Sequence, residues 1–178
     1  NQIQCADEQL GCYLRLNVTD DDGLINSTIF EVGIDNFPPN TTLDIPHNRT
    51  NLSSSLITLN ASAIDAGSGV NASLFYYREN DVAAWQFACL DFDDTDGYGF
   101  NCTWDASLLP DGNDYQVKVY ANDSKNNQGA NDTHFNITLD RSPPVINLVA
   151  PPNNTFSIEN ITFTFNASDY HSDIANCS

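Results

Sequence analysis

An all-β chain of repeated two-layer sandwiches is the fold class this sequence predicts, and three observations carry the prediction. Apolar and polar residues alternate at period two over short runs. Gly, Pro, Asn and Asp punctuate those runs, as turns between strands require. The chain also matches itself at an offset of 105 residues. No stretch of helical length carries the helical period.

The offset sets the organisation. Pro38-Pro39 recur as Pro143-Pro144, and Leu43, Pro46, Asn48 and Thr50 recur as Leu148, Pro151, Asn153 and Thr155. One residue of slippage then aligns Asn60-Ala61-Ser62 with Asn166-Ala167-Ser168. Upstream, Asn26, Thr28, Phe30 and Asp35 match Asn131, Thr133, Phe135 and Asp140. Residues 37–141 therefore read as one complete domain. Residues 1–36 read as the closing part of a preceding one, and residues 142–178 as the opening part of a further one. Two such parts suggest a second compact domain, residues 142–178 completed by residues 1–36 of the next unit, through the same chain or another subunit. With no methionine in the sequence, the chain reads as a processed or excised piece of something longer.

Within the complete repeat, strands are predicted over residues 41–45, 55–62, 70–78, 83–91, 99–103, 114–122 and 131–139. Ile57, Leu59 and Ala61 alternate with Thr58, Asn60 and Ser62, and Ile161-Thr162-Phe163-Thr164-Phe165 repeats the pattern. Tyr115, Val117, Val119 and Ala121 form an inward face opposite Gln116, Lys118 and Tyr120. Leu14, Leu16 and Val18 do the same in the earlier copy, which places Cys12 at the position of Tyr115. Short strands separated by turn residues point to a sandwich rather than a parallel sheet.

Hydrophobic residues make up 40% of 178 residues, enough for a core. The net charge of −18, from 24 acidic and six basic residues, argues against nucleic acid or anionic lipid as partners. No apolar run is long enough for a membrane span. The acid is nearly all Asp, which favours turns and strand ends.

Asn-x-Ser/Thr sequons begin at Asn17, Asn26, Asn40, Asn48, Asn51, Asn60, Asn71, Asn101, Asn122, Asn131, Asn136, Asn153, Asn160, Asn166 and Asn176. That is several-fold more than the Ser and Thr content generates by chance, and it predicts dense N-glycosylation on outward-facing asparagines. Five cysteines fit the same oxidising, extracellular or cell-surface setting. The preferred bridges are Cys89–Cys102, across an acidic turn, and Cys5–Cys12, close in sequence. Cys177 is left for a partner outside this segment or in a neighbouring unit. Domain completion would offer it Cys5 or Cys12 instead.

Four features carry a resemblance: the Pro-Pro opening each repeat, Asp65-Ala66-Gly67-Ser68-Gly69-Val70 leading into Leu74-Phe75-Tyr76-Tyr77, Leu109-Pro110-Asp111-Gly112 followed by Tyr115, and Val119-Tyr120-Ala121-Asn122-Asp123. Together they resemble the tandem immunoglobulin-like and fibronectin-III-like repeats of prokaryotic cell-surface glycoproteins. The Asp-rich, Lys-poor, glycan-dense version is most similar to those of archaea. The resemblance implies tandem immunoglobulin-like β-sandwiches, with Tyr115 as the tyrosine corner. The buried inter-sheet disulfide of antibody domains has no matching cysteine pair here.

The candidate metal ligands are Asp91, Asp93, Asp94 and Asp96, hard oxygen donors in one turn that suit calcium. Phe92 departs from the alternation of a calcium loop. Asp20-Asp21-Asp22-Gly23 is a weaker acidic turn of the same kind. Asp35 and Asp140, before each Pro-Pro, are further candidates for clamping a domain junction through calcium. Trp85, Trp104, Tyr76, Tyr77 and Tyr98 are candidates for a sugar-stacking platform, with Trp104 and Tyr76 favoured as core and Trp85 left open. No catalytic residues are expected, because His47, His134 and His171 lack a spaced acid or nucleophile. The expected function is a non-catalytic surface stalk, sheath or filament whose partners are copies of itself or adjacent repeats. Its cofactors are N-linked glycans, with calcium as a candidate. The rival is an adhesin or glycan-binding module using calcium, and a third reading is a noncatalytic appendage of a secreted hydrolase.

Overall fold

The structure is a computed structural model that describes residues 5, 9–92, 94 and 99–177. In chain order the strands are β1 (Gln9–Thr19), β2 (Ile25–Ile34), β3 (Asn40–Ile45), β4 (Asn51–Leu52), β5 (Leu56–Ile64), β6 (Val70–Arg78), β7 (Gln86–Asp91), β8 (Phe100–Asp105), β9 (Gly112–Asp123), β10 (Asp132–Leu139), β11 (Val145–Ala150) and β12 (Thr164–Ser168). Strands β3-β5-β8 make a three-stranded sheet and β4-β10-β9-β6-β7 a five-stranded one, while β1-β2 and β11-β12 are separate hairpins. Among the described residues there is no helix long and apolar enough to cross a membrane.

The alternation of side chains dictates how the two larger sheets meet. Ile57, Leu59 and Ala61 of β5 are buried, whereas Thr58 and Ser62 are exposed and Asn60 is half-buried. Tyr115, Val117, Val119 and Ala121 of β9 are buried in the same way from the opposite sheet. Leu43, Phe75, Trp104, Ala106, Ile137 and Leu139 complete one continuous core between the layers. Trp104 lies at its centre, 4.9 Å from the Tyr77 ring and 6.1 Å from the Tyr115 ring. Each large apolar side chain so buried contributes about 1.5 to 3 kcal/mol.

All seven predicted strands of the complete repeat are present, with ends shifted by a few residues. The chain before Gln86 turns instead of extending, because Asn80 Oδ1 accepts hydrogen bonds from the backbone N–H of Val82 and Ala83. One strand lacks a sequence signal. After β3 the chain crosses to the other sheet, where β4 pairs parallel to β10 through Asn51↔Thr138 and Leu52↔Leu139. A two-residue strand has no periodicity to read.

Two cross-links reinforce the layers. The Tyr115 hydroxyl donates to the Pro110 carbonyl at 2.8 Å, fastening the start of β9 to the loop before it. Cys89 of β7 and Cys102 of β8 are bridged, with Cα atoms 6.0 Å apart, and so join the edges of the two sheets. The second bridge is Cys5–Cys12, and Cys177 is free and exposed.

The two hairpins differ from the central part in one respect. Leu14, Leu16, Phe30 and Val32 in β1-β2, and Ile146, Leu148, Phe163 and Phe165 in or beside β11-β12, are exposed. Each hairpin is a sheet by itself.

Replacing Tyr115 by Phe removes the hydroxyl bond while keeping the buried ring. The expected loss is about 1 kcal/mol of stability, measured by urea unfolding followed by tryptophan fluorescence.

Candidate functional sites

The first candidate is the junction where β2 hands the chain to β3. Asp35 leaves β2 and meets two loops of the central sandwich, the β5–β6 loop and the β9–β10 turn. Its Oδ2 accepts the Ser68 N–H at 2.6 Å, and its carbonyl accepts the Asn127 side-chain amide at 3.1 Å. Asp65 Oδ2 accepts the Gly69 N–H at 2.6 Å. Asp123, only 1% exposed, accepts the N–H groups of Lys125 and Asn127 at Oδ1, both at 2.8 Å, and the Asn127 amide at Oδ2, at 2.7 Å. Glycine is needed twice: a Cβ on Gly67 would collide with the Asp35 carboxylate, and one on Gly129 with the Pro39 carbonyl. The segment between β2 and β3 is thus packed against loops of the central sandwich.

Asp35, Asp65 and Asp123 bring one carboxylate oxygen each within 4.8 Å of one another. Such hard oxygens have the chemistry to hold calcium. The same carboxylates accept backbone and amide N–H groups, which makes them loop staples in their own right. Of these three, Asp35 carried an expectation from sequence. Asp65 and Asp123 sit in motifs that served only as markers of the fold.

The junction after β10 is locked by different chemistry. Arg141 Nε pairs with Asp111 Oδ1 at 2.9 Å, and the guanidinium also donates to the carbonyls of Ala106 and Leu109. Ser142 Oγ donates to Asp111 Oδ2 at 2.7 Å. The Ser142 hydroxyl first, and then the Arg141 backbone and guanidinium, hold the Asp111 carboxyl down from the ordinary 3.8 to about 2. Asp140, an expected metal-clamp residue, donates its N–H to the Leu52 carbonyl and accepts the Ser142 N–H at Oδ1.

The acidic turn expected to bind calcium is only partly within view. Asp91 Oδ2 accepts the Asn101 N–H at 2.8 Å, a bond that anchors β8, and Asp94 is exposed. Asp93 and Asp96 lie outside the described residues, as does Tyr98. In the weaker turn, Asp20 Oδ1 accepts the N–H groups of Asp22 and Leu24, closing the β1-β2 hairpin. His134 Nδ1 is 2.6 Å from the Pro46 carbonyl, and His171 Nδ1 is 2.8 Å from Asn113 Oδ1 while the Asp169 carboxylate accepts the His171 backbone N–H at 3.0 Å.

The aromatic candidates divide between two places. Trp104 and Tyr77 pack in or against the core, but Tyr76 does not, which corrects its assignment to the core. Its neighbours Phe75 and Tyr77 lean toward the core, so the pleat directs Tyr76 to the outer face of the five-stranded sheet. There it stacks on Tyr120 at 5.8 Å and meets Phe87 edge-on at 5.6 Å. The Tyr76 hydroxyl contact and partial burial push Tyr120 up to about 12. Trp85 joins this face beneath Arg78 and Lys118, each 4.6 Å from the ring centroid. Gln116 points outward from β9 yet is buried, because it accepts from Arg78 and donates to Asp81. The platform is therefore occupied by the protein's own cations.

Twelve sequon asparagines are exposed, Asn60, Asn101 and Asn122 are half-buried, and none is buried. The remaining feature is an apolar trough on the β11-β12 hairpin, formed by Pro144, Leu148, Phe163, Phe165 and Ile174 with Cys177 at its rim.

Because the Asp111 carboxyl is depressed in the fold, its stabilisation is full above about pH 4 and is lost as pH falls toward 2. Asp111→Asn should cost about 1 to 2 kcal/mol at neutral pH and flatten that acid limb, as read by urea unfolding across the pH range. No protein-family model matches the chain and no curated protein matches it, so its function is read from these features alone.

Proposed function

We propose that the chain is a non-catalytic, N-glycosylated structural segment of an extracellular or cell-surface protein. In this reading, immunoglobulin-like sandwiches with a repeat of about 105 residues follow one another as a stalk, sheath or filament, as in the archaeal surface glycoproteins the sequence resembles.

The observation that carries the reading is the junction. Asp35 and Pro39 are held against the loops around Gly67 and Gly129 by side-chain hydrogen bonds and close backbone contact. A flexible tether needs no such contacts, whereas a stiff array of domains does. Further support comes from the strand orders β3-β5-β8 and β4-β10-β9-β6-β7, which fit an immunoglobulin-like sandwich. The Tyr115 hydroxyl bond supports the same assignment. The absence of a buried sequon asparagine favours glycans on the outside. Two disulfides fit an oxidising compartment.

Electron microscopy of native material, with peptide mass spectrometry of the fifteen acceptor sites, tests this function. Regular fibres or an ordered surface layer with occupied asparagines are expected. Bare asparagines, or dispersed molecules that select one sugar on a glycan array and release it with chelator, would overturn it in favour of the adhesin.

A further inference from the structure

We infer that Asn60 and Asn101 act as a single glycan-acceptor site, so that each native molecule carries one glycan on the outer face of the three-stranded sheet, at one asparagine or the other. The inference rests on the reading of the chain as N-glycosylated and adds a regulation of that modification.

The strand register brings the two acceptors together. β5 pairs with β8 through Leu59↔Cys102, Asn60↔Asn101 and Ala61↔Phe100. Leu59, Ala61 and Phe100 are buried, so the pleat turns Asn60 and Asn101 outward on the same face. Among the described residues this is the one place where a register sets two sequon asparagines directly opposite each other.

The surroundings hold both side chains near one spot. Both are half-buried, whereas twelve other acceptors are exposed. Asn101 Nδ2 donates to the Gly99 carbonyl at 3.3 Å, and its backbone N–H donates to Asp91 Oδ2 at 2.8 Å. Asn60 Nδ2 lies 3.9 Å from where a Cβ on Gly99 would stand, so the two reactive nitrogens converge on the same residue. On its other side Asn60 is paired with Ile45 of β3. The hydroxyl of its sequon is engaged as well, because Ser62 Oγ donates to Asp44 Oδ2 at 2.7 Å. The neighbour of Asn101, Cys102, is bridged to Cys89, which keeps β8 from moving aside.

Glycosyl transfer enlarges this arrangement beyond what it holds. An asparagine Nδ2 bonds to the anomeric carbon of a glycosyl phosphate donor. The bond from that carbon to the phosphate oxygen breaks, its electron pair leaves with the phosphate, and one amide proton is released. A hydrogen is thereby replaced by a bulky sugar ring. Directly opposed Cβ atoms stand about 4.5 to 5.5 Å apart, which suits two asparagines and crowds two substituted rings. On the formed ladder the first glycan therefore blocks the second. Two glycans added beforehand keep β8 from docking on β5.

Glycopeptide mass spectrometry of the secreted protein from a glycosylating host provides the test. Arg78 lies between the two sites, so tryptic cleavage puts them on separate peptides. In the wild type, the occupancies of Asn60 and Asn101 together are expected not to exceed one glycan per molecule. Asn101→Gln is expected to raise Asn60 to the wild-type sum, and Asn60→Gln to raise Asn101 to it. Thr103→Ala keeps Asn101, alters an exposed residue and destroys the sequon. It is expected to reproduce Asn101→Gln, since the glycan and not the side chain is what excludes. Asn26, exposed on a separate sheet, stays unchanged as the control, and the unfolding transition followed through Trp104 checks that each variant is folded. A summed occupancy clearly above one glycan, or a remaining site that falls short of the wild-type sum, overturns the inference and leaves the glycoprotein reading standing. The same holds if both asparagines are bare in every variant while Asn26 is glycosylated. Bare asparagines at all fifteen acceptor sites overturn that reading and the inference with it.

Discussion

Burial of the alternate side chains of β9 in the core between the two layers is the interaction on which the rest of the structure depends. Val117 and Val119 share one buried cluster with Ile57, Leu59 and Ala61 of the other layer, and Ala121 donates its N–H to Thr41 Oγ1 of β3. β9 also pairs with β6 on one side and β10 on the other. Its two ends extend that order outward. Tyr115 fastens the preceding loop, and Asp123 folds the following turn, whose Asn127 reaches back to the Asp35 carbonyl. The core, the loop at one end and the junction at the other are consequences of one strand being packed on every side.

The exterior follows a different logic, set by a large excess of negative charge. With few cations available, most of those seen in contacts do structural work. Arg141 draws the chain after β10 onto Asp111, while Arg78 and Lys118 cover Trp85 and help bury Gln116. Lys118 is depressed by burial and by the neighbouring Arg78, the cost of crowding two cations over one aromatic face. The remaining acidic surface repels other polyanions, an effect that salt screens.

Much of the fold was legible in sequence because period-two alternation is a local signal. Strands β5 and β9 could be read residue by residue, and the outward set Thr58 and Ser62 followed from the same count. The failures occurred where three-dimensional neighbours decide. Tyr76 is as apolar as its flanking residues, and only the pleat of β6, bracketed by β7 and β9, sends it to the outer face. β4 is too short to show a period. The acidic groups were harder still. A run such as that around Asp91 is conspicuous in sequence, yet Asp35, Asp65 and Asp123 meet although they are far apart along the chain.

By itself, the sequence determined that the chain is all-β, where its principal strands lie, which faces of them are buried, and which asparagines stand in Asn-x-Ser/Thr sequons. Those properties depend on neighbours one or two residues away, where backbone geometry alone fixes which way a side chain points. Tertiary structure alone decided that Cys89–Cys102 joins two different sheets, that the two junctions are locked by carboxylates in one case and by an Arg–Asp pair in the other, and that both terminal hairpins present uncovered apolar faces. Each of these depends on packing between segments far apart in the chain, and no local pattern records which of them meet.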